Sequence, residues 1–274
     1  MIVEVVPLPS LLLEAERKVA IVVDALRASN TVTAIFAAGA ARVMLAADRS
    51  EALRIASPNR SRLVLCGESG GVRLPDFDFG NSPTELARAD LAGRDVVFCT
   101  SNGTRALLAV AGARAAFVGG GRNGPTVAKA ALEDALASGS DLAIVCAGDD
   151  RGTVFSLEDF YFAGYLVELT ARMRPFVWPV DEADPRPGDP NHWVLDESAL
   201  AARRLYRSYL DDGRSAERPR TDEVRRAFEE ARNGHSLPRI GYAGDLDYCA
   251  EVDRSTVVPR LTVQNGRLVL VDPS

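Results

Sequence analysis

The sequence predicts an α/β fold: a layered sandwich around a largely parallel or mixed sheet, closed by a C-terminal β-hairpin. Two observations carry that prediction. Short apolar, β-branched runs alternate with helical patterns from the N-terminus to about Arg174, as in chains that cross helices over parallel strands. The chain then finishes on two strand-like runs, Val257–Val263 and Arg267–Val271, around Asn265-Gly266. Asn-Gly supplies the two positive φ values of a type I′ turn.

Taken in order, Val19–Val23, Val43–Ala46, Leu63–Cys66, Val96–Cys99, Ala115–Val118 and Leu142–Cys146 read as buried strands. Helix starts lie between them. Asp48-Arg49-Ser50-Glu51 has the spacing of a capping box, in which Glu51 reaches back over the first turn. Ser82-Pro83-Thr84-Glu85 combines a cap, proline at the first helical position and Glu three residues after the cap. Ser156-Leu157-Glu158-Asp159 opens a helix with Phe160, Ala163, Gly164, Val167 and Ala171 near one stripe. An internal echo at an offset of 73 aligns Thr31, Ala38, Gly39 and Ala40 with Thr104, Ala111, Gly112 and Ala113, which suggests two similar β–loop–α–β units. Pro175–Pro190 holds five prolines and reads as an irregular excursion. Charged helical patterns follow at Asp196–Leu210 and Thr221–Arg232. The organisation expected is therefore a core over 1–174 carrying the site, with 175–274 packed on it, or one single domain over 1–274.

Composition narrows the chemistry. The 274 residues carry 32 Lys+Arg against 38 Asp+Glu, a formal charge of −6, which argues against a general nucleic-acid binder. Only Lys18 and Lys129 are lysines, leaving 30 arginines. The two histidines, His192 and His235, exclude a histidine-rich metal centre. Cys66, Cys99, Cys146 and Cys249 form no CxxC pair and suit buried strand ends as small hydrophobes. A metal, if bound, would take oxygen ligands, which favours magnesium. No apolar run approaches the roughly 18 residues of a membrane helix, and Met1-Ile2-Val3-Glu4 has no signal-peptide character. The expected location is the cytoplasm, with no membrane partner; a homodimer is the default prior.

Ligands of parallel sheets gather beyond the carboxyl ends of the strands, so the residues after each strand are the candidate site. These are Asp24 to Thr31, Gly67 to Gly71, Phe79 to Pro83, Thr100 to Arg105 and Ala147 to Gly152. Each exit places small residues and hydroxyls at a helix start beside an acid or an arginine, an arrangement suited to oxyanions. Each also has a structural reading: Asp24, Ser82 and Glu158-Asp159 can serve as caps, and Arg27 as half of an ion pair.

These exits also resemble a family. Asp24-x-Leu26-Arg27-Ala28-Ser29, Gly67-Glu68, Phe77-Asp78 through Asn81-Ser82-Pro83, Thr100-Ser101-Asn102-Gly103-Thr104, Cys146-Ala147-Gly148 and Ser156-Leu157-Glu158-Asp159 are similar to the 2-phosphosulfolactate phosphatases. So are Gly234-His235-Ser236-Leu237, Gly244-Asp245-Leu246-Asp247-Tyr248-Cys249-Ala250 and Val258-Pro259. The resemblance runs from about Val19 to about Pro259. It implies a Mg²⁺-dependent phosphatase that cleaves phosphate from 2-phospho-3-sulfolactate, a small anionic substrate, on the route to coenzyme M. Ser69 stands where the family tends to carry Arg, and Asp76 where it tends to carry Gly. The first change removes an anion contact; the second adds negative charge near the pocket.

On this reading Asp24 and Glu68 hold Mg²⁺, with Glu158 or Asp159 as further ligands. Asp24, Arg27, Thr100 and Asn102 carry catalysis, Arg27 countering charge on the phosphoryl group. Ser29, Asn81, Ser82, Ser101, Gly103, Thr104 and Gly148 hold substrate oxygens. Water attacks phosphorus directly, or Asp24 first forms an acyl phosphate. Two alternatives stand beside this. A haloacid-dehalogenase-like phosphatase would use Asp24, Thr100 or Ser101, Lys129 and Asp149-Asp150 in that order, but Leu26 occupies the place of its second Asp. A catalytically silent anion-binding protein would have no use for clustered acids unless a cation sat among them.

Overall fold

The computed structural model describes residues 1–173, 193–211 and 218–273. The proline-rich excursion at 175–190 and His192 lie outside the described residues. All six expected strands form, with ends shifted by a few residues: β2 (Lys18–Val23), β3 (Arg42–Leu45), β4 (Leu63–Ser69), β6 (Asp95–Cys99), β7 (Ala115–Gly119) and β8 (Asp141–Cys146). The terminal hairpin is β10 (Arg260–Gln264) and β11 (Arg267–Val271), with φ of +50° at Asn265 and +73° at Gly266. Its first strand begins at Arg260, because Pro259 cannot donate to a ladder. Three short strands were not foreseen: β1 (Ile2–Val6), β5 (Val72–Arg73) and β9 (Val194–Leu195). The last two are only two residues long, below what periodicity can detect.

The eleven strands form one sheet in the order β5-β4-β6-β3-β11-β10-β7-β2-β8-β1-β9. It holds two parallel blocks, β9-β1-β8-β2-β7 and β3-β6-β4, with β5 antiparallel on the far edge. The hairpin lies between the blocks and pairs antiparallel with both β7 and β3. The sheet is thus mixed, and its strand exits do not all lie on one carboxyl edge. Three antiparallel steps separate the blocks, so on a flat sheet their carboxyl ends would point opposite ways. Five strand-to-strand steps separate β2 from β6, and at about 20–25° per step they turn the strands by on the order of 100–125°. Twist of that size accounts for residues after strands of both blocks lining one cavity.

Two helices pass between the blocks. α1 (Ala28–Ala37) carries the chain from β2 to β3, and α4 (Gly103–Ala109) returns it from β6 to β7. They correspond to the two halves of the internal echo, performing the same crossover in opposite directions. Nine of the ten α1 residues are buried, so the helix is enclosed on every side. Its Val32, Ile35 and Phe36 share one apolar cluster with Ala106 and Leu107 of α4 and with alternate residues of both blocks, including Ala20, Val22, Val43, Val64, Val96 and Phe98. The opposite face of the first block (Val19, Ile21, Val23, Leu142, Ile144) is covered by α5 (Gly124–Ser138), α6 (Leu157–Met173) and α7 (Glu197–Ser208). α2 (Arg49–Ala56) covers the opposite face of the second.

The capping expectations hold. The Asp48 carboxylate accepts the Glu51 N–H at 2.8 Å, and Glu51 accepts the Ala47 N–H at 2.9 Å. Ser82 caps α3 (Pro83–Leu86) and Ser156 accepts the Asp159 N–H. The pattern at Thr221–Arg232 does not continue as one helix. α8 (Thr221–Glu230) ends, Ala231 is extended, and α9 (Arg232–Arg239) starts afresh before α10 (Ala243–Ala250). Gly234 permits this break, since a Cβ there would lie 1.7 Å from the Phe228 carbonyl oxygen. None of the helices among the described residues is long and apolar enough to cross a membrane.

Candidate active site at the meeting of the strand exits

The exits of β2, β4, β6 and β8 meet at a cavity of about 420 Å³, roofed by α9. Its walls include Asp24, Arg27, Glu68, Ser69, Asn81, Ser101, Asn102, Asp149, Asp150, Arg151, Arg232 and Asn233.

Asp24 leaves β2 into a turn that fixes it. Its Oδ1 accepts the Ala28 N–H at 3.0 Å, while its own N–H donates to Ser29 Oγ at 2.9 Å. The other oxygen lies where α4 begins: a Cβ on Gly103 would stand 2.7 Å from Asp24 Oδ2 and 2.5 Å from Ala28 Cβ. Gly103 is therefore required for the two exits to touch. Burial, and then the carboxylates of Glu68, Asp149 and Glu158, push the Asp24 carboxyl up to about 7, against the Ala28 hydrogen bond. Glu68 is held as an acceptor by the Ser101 N–H at 2.6 Å and the Gly71 N–H at 2.7 Å, tying β4 to the β6 exit.

Behind Asp24 stands Asp159. Its two oxygens accept the N–H groups of Ala25 (2.8 Å) and Gly148 (3.0 Å), clamping the β2 and β8 exits together. Burial and the neighbouring Asp24 and Glu158 raise its carboxyl well above the usual range. Glu158 is also raised, chiefly by burial. Its Oε1 accepts from Asn233 Nδ2, which also serves Asp149, whereas its buried Oε2 has no hydrogen-bond partner. Asn81 is 5% exposed and its Oδ1 is likewise unpartnered, although the residue lines the cavity.

The structure thus sorts the residues singled out from sequence. Asp24, Arg27, Glu68, Asn81, Ser101 and Asn102 line one cavity. Ser29, Ser82, Thr100, Gly103, Thr104, Gly148, Glu158 and Asp159 lie around it but not in its wall. Thr100 and Thr104 exchange reciprocal hydrogen bonds at 3.0 Å that hold the first turn of α4. The Gly148 N–H is taken by Asp159, and Ser82 Oγ donates to Asp245 at 2.8 Å. Arg27 is 2% exposed and already engaged: it donates to Asp245 Oδ2 (2.8 Å) and to the Gly71 carbonyl (2.7 Å), and stacks on the Tyr242 ring. Asn102 Oδ1 accepts the Arg151 N–H, joining the β6 and β8 exits. Asp76 is exposed, pairs with Arg49 and does not line the cavity, so the charge expected near the pocket is not there. Its φ of +67° is the conformation that glycine favours. Ser69 does line the wall.

Sequence reading gave no role to Asn233 or Arg232, which come from a helix start with no sequence motif of its own. Lys129 lies exposed on α5 beside Glu133 and away from the cavity, and Leu26 adds no carboxylate. The arrangement of a haloacid-dehalogenase-like site is therefore not assembled around Asp24. All four cysteines are buried and their thiols raised by burial, Cys99 to about 11, as expected of packing residues.

The donor set for a cation is all oxygen, suited to a hard ion. No three acids, histidines or cysteines among the described residues converge into a ready cage. The fit is to an ion that takes one or two carboxylates and completes its shell with water and substrate oxygens, which is the habit of magnesium.

Residues 8–264 match the family described as 2-phosphosulpholactate phosphatase. The chain is 32% identical to a protein named probable 2-phosphosulfolactate phosphatase from Carboxydothermus hydrogenoformans, covering 98% of this chain and 96% of that one. It is 34% identical to one of the same name from Symbiobacterium thermophilum (94% and 97% covered) and 34% identical to another from Deinococcus radiodurans (89% and 87%).

Proposed function

From its membership of the 2-phosphosulfolactate phosphatase family, to which this chain belongs, we propose that it hydrolyses the phosphomonoester of 2-phospho-3-sulfolactate or a similar small polyanionic acid, releasing phosphate and sulfolactate with the help of Mg²⁺. The observation that carries this reading is the placement of Asp24. It is fixed at the meeting of two strand exits in the cavity wall, where burial and then the carboxylates of Glu68, Asp149 and Glu158 push its carboxyl up to about 7. A site so crowded with acids demands a proton or a cation at neutral pH, and an anionic substrate can enter only once that demand is met.

Asp24 and Glu68, the two acids of the proposed set that line the cavity, hold the cation. When bound, Mg²⁺ offsets phosphate charge and polarises the phosphorus–oxygen bonds. The chain's own groups do the positioning. Asp159 keeps the Ala25 and Gly148 amides in place behind Asp24. Asn81 and Asn102 offer amide groups to the phosphoryl oxygens, Ser101 orients Glu68 through its N–H and hydroxyl, and the Arg27–Asp245 pair fixes the Gly70–Gly71 turn that shapes the opposite wall. Water in the cavity attacks phosphorus, the ester bond breaks, and the proton passes to the leaving alkoxide oxygen.

The test is release of inorganic phosphate from 2-phosphosulfolactate with Mg²⁺ and with EDTA. Release that depends on Mg²⁺ is expected. Metal-independent binding of the substrate without turnover would replace this reading by that of a silent anion-binding protein.

A further inference from the structure

Arginine is abundant in this chain, yet the arginine nearest the proposed chemistry is already committed. Arg27 spends its two terminal nitrogens on Asp245 and the Gly71 carbonyl. The positive charge left for a substrate is elsewhere in the cavity wall. Arg151, after β8, and Arg232, which opens α9, both line it and are both exposed. Neither side chain has an ion pair or hydrogen bond to the described residues, although ion pairs occupy many other arginines, including Arg42, Arg203, Arg207, Arg220 and Arg226.

Both positions go against local preference. Asp150 and Arg151 have φ of +45° and +61°, the left-handed region that residues other than glycine seldom adopt. The turn is held there by the Arg151 N–H to Asn102 Oδ1 and by hydrogen bonds between Asp149 and Val154. Arg232 puts a cation on the first residue of a helix, beside the positive end of its dipole, where a carboxylate would be the stabilising choice. The preceding Ala231 has no side-chain cap to offer, so the first N–H groups of α9 add to that positive corner. The acids closest in the chain are Asp149 and Asp150 for Arg151, and Glu229 and Glu230 for Arg232, of which Glu230 accepts from the Tyr209 hydroxyl. Asp149 is occupied by Asn233, which also holds Glu158.

We propose that Arg151 and Arg232 form a second anion subsite, which takes the sulfonate or carboxylate of the substrate while its phosphoryl group sits against Asp24, Glu68 and Asn81. This rests on the phosphatase reading and adds to it a requirement: the preferred phosphomonoester carries a further fixed negative charge across the cavity from the phosphate. Guanidinium groups suit either oxyanion, pairing in two-pronged fashion with a carboxylate or sharing the three oxygens of a sulfonate.

The test compares Arg151→Gln, Arg232→Gln and the double variant with the parent chain, each with Mg²⁺, on 2-phosphosulfolactate, 2-phospholactate (no sulfonate) and 4-nitrophenyl phosphate (no second anion). The expected result is a fall of about tenfold per arginine in the ratio of kcat/KM for 2-phosphosulfolactate over that for 4-nitrophenyl phosphate, with KM carrying the change. If the ratio for 2-phospholactate falls equally, the carboxylate is the partner; if it stays, the sulfonate is. A 2-phosphosulfolactate ratio within about twofold of the parent's in the double variant overturns the subsite. Calorimetric binding of 3-sulfolactate, which has no phosphate, judges the subsite even if no substrate turns over. The double variant should then bind at least tenfold more weakly, and equal binding overturns the proposal. Failure of the parent chain to release phosphate would count against the phosphatase reading alone.

Discussion

Two buried carboxylate regions of this molecule invite comparison. At Glu168, on α6, three arginines converge: Arg172 at 3.0 Å, Arg203 at 2.8 Å and Arg207 at 2.8 Å. Burial alone would raise that carboxyl, but the arginine hydrogen bonds outweigh it and lower it to about 2. At Asp24 the same kind of burial is met by further acids, and the carboxyl rises to about 7. One acid pins α6 to α7 and is satisfied by the fold. The other is surrounded by further acids and keeps its proton to near neutral pH. Perturbation by itself does not mark a functional group; its direction, together with an opening to a cavity, does.

Breaking the second region should have the largest effect. Asp24→Asn is expected to lower phosphate release by on the order of a thousandfold, measured as kcat at saturating Mg²⁺; near-normal turnover would end the proposed role. The same variant also sharpens the comparison through stability. A carboxyl whose folded pKa lies above its unfolded value, about 7 against 3.8, binds its proton more tightly when folded. Stability is therefore lost as pH rises from about 4 to about 7 and stays lost above it, by a few kcal/mol at most. In EDTA, Asp24→Asn should raise Tm at pH 8 and leave it nearly unchanged at pH 4. Adding Mg²⁺ at pH 8 should raise the Tm of the parent chain but not that of the variant.

Asp245 falls between the two regions, satisfied like Glu168 but bordering the cavity. It accepts from Arg27, Ser82 and Thr84. Asp245→Ala leaves the Arg27 charge buried without a counterion and should cost about 3–5 kcal/mol in denaturant unfolding, with activity falling as the Gly70–Gly71 turn loosens. Glu168→Gln should cost less, on the order of 2 kcal/mol, because its arginines are 25–47% exposed and screened by solvent. The sign of its pH dependence is opposite to that of Asp24. A lowered carboxyl stabilises fully above its unfolded value near 4.5 and loses that contribution as pH falls toward 2, so parent and Glu168→Gln unfolding curves should converge in acid and separate at neutral pH.

How much of this was legible in the residues follows from which interactions are local. The apolar runs announced their strands, Asp48, Ser82 and Ser156 announced their helices, and Asn265-Gly266 announced the hairpin, because each signal is complete within about four residues. The exits carrying Asp24, Glu68, Asn81 and Ser101 were legible for the same reason. Which of those groups face a ligand was not. Thr100, Thr104 and Gly148 have the right chemistry for phosphate and spend it on the fold, and Arg27 is taken by an aspartate 218 residues away. Arg232 gave no local sign of a role, because its place depends on a helix break that Gly234 allows only against the Phe228 carbonyl.

The sequence by itself determined the α/β class, most of the elements and the family. Tertiary structure alone decided that the sheet is two parallel blocks bridged by the terminal hairpin, that exits of both blocks line one cavity, and which charges remain there without partners. The physical reason is one of range. Backbone conformation and capping are settled by neighbours in the chain, whereas desolvation and pairing of charge are settled by whatever the fold packs against them.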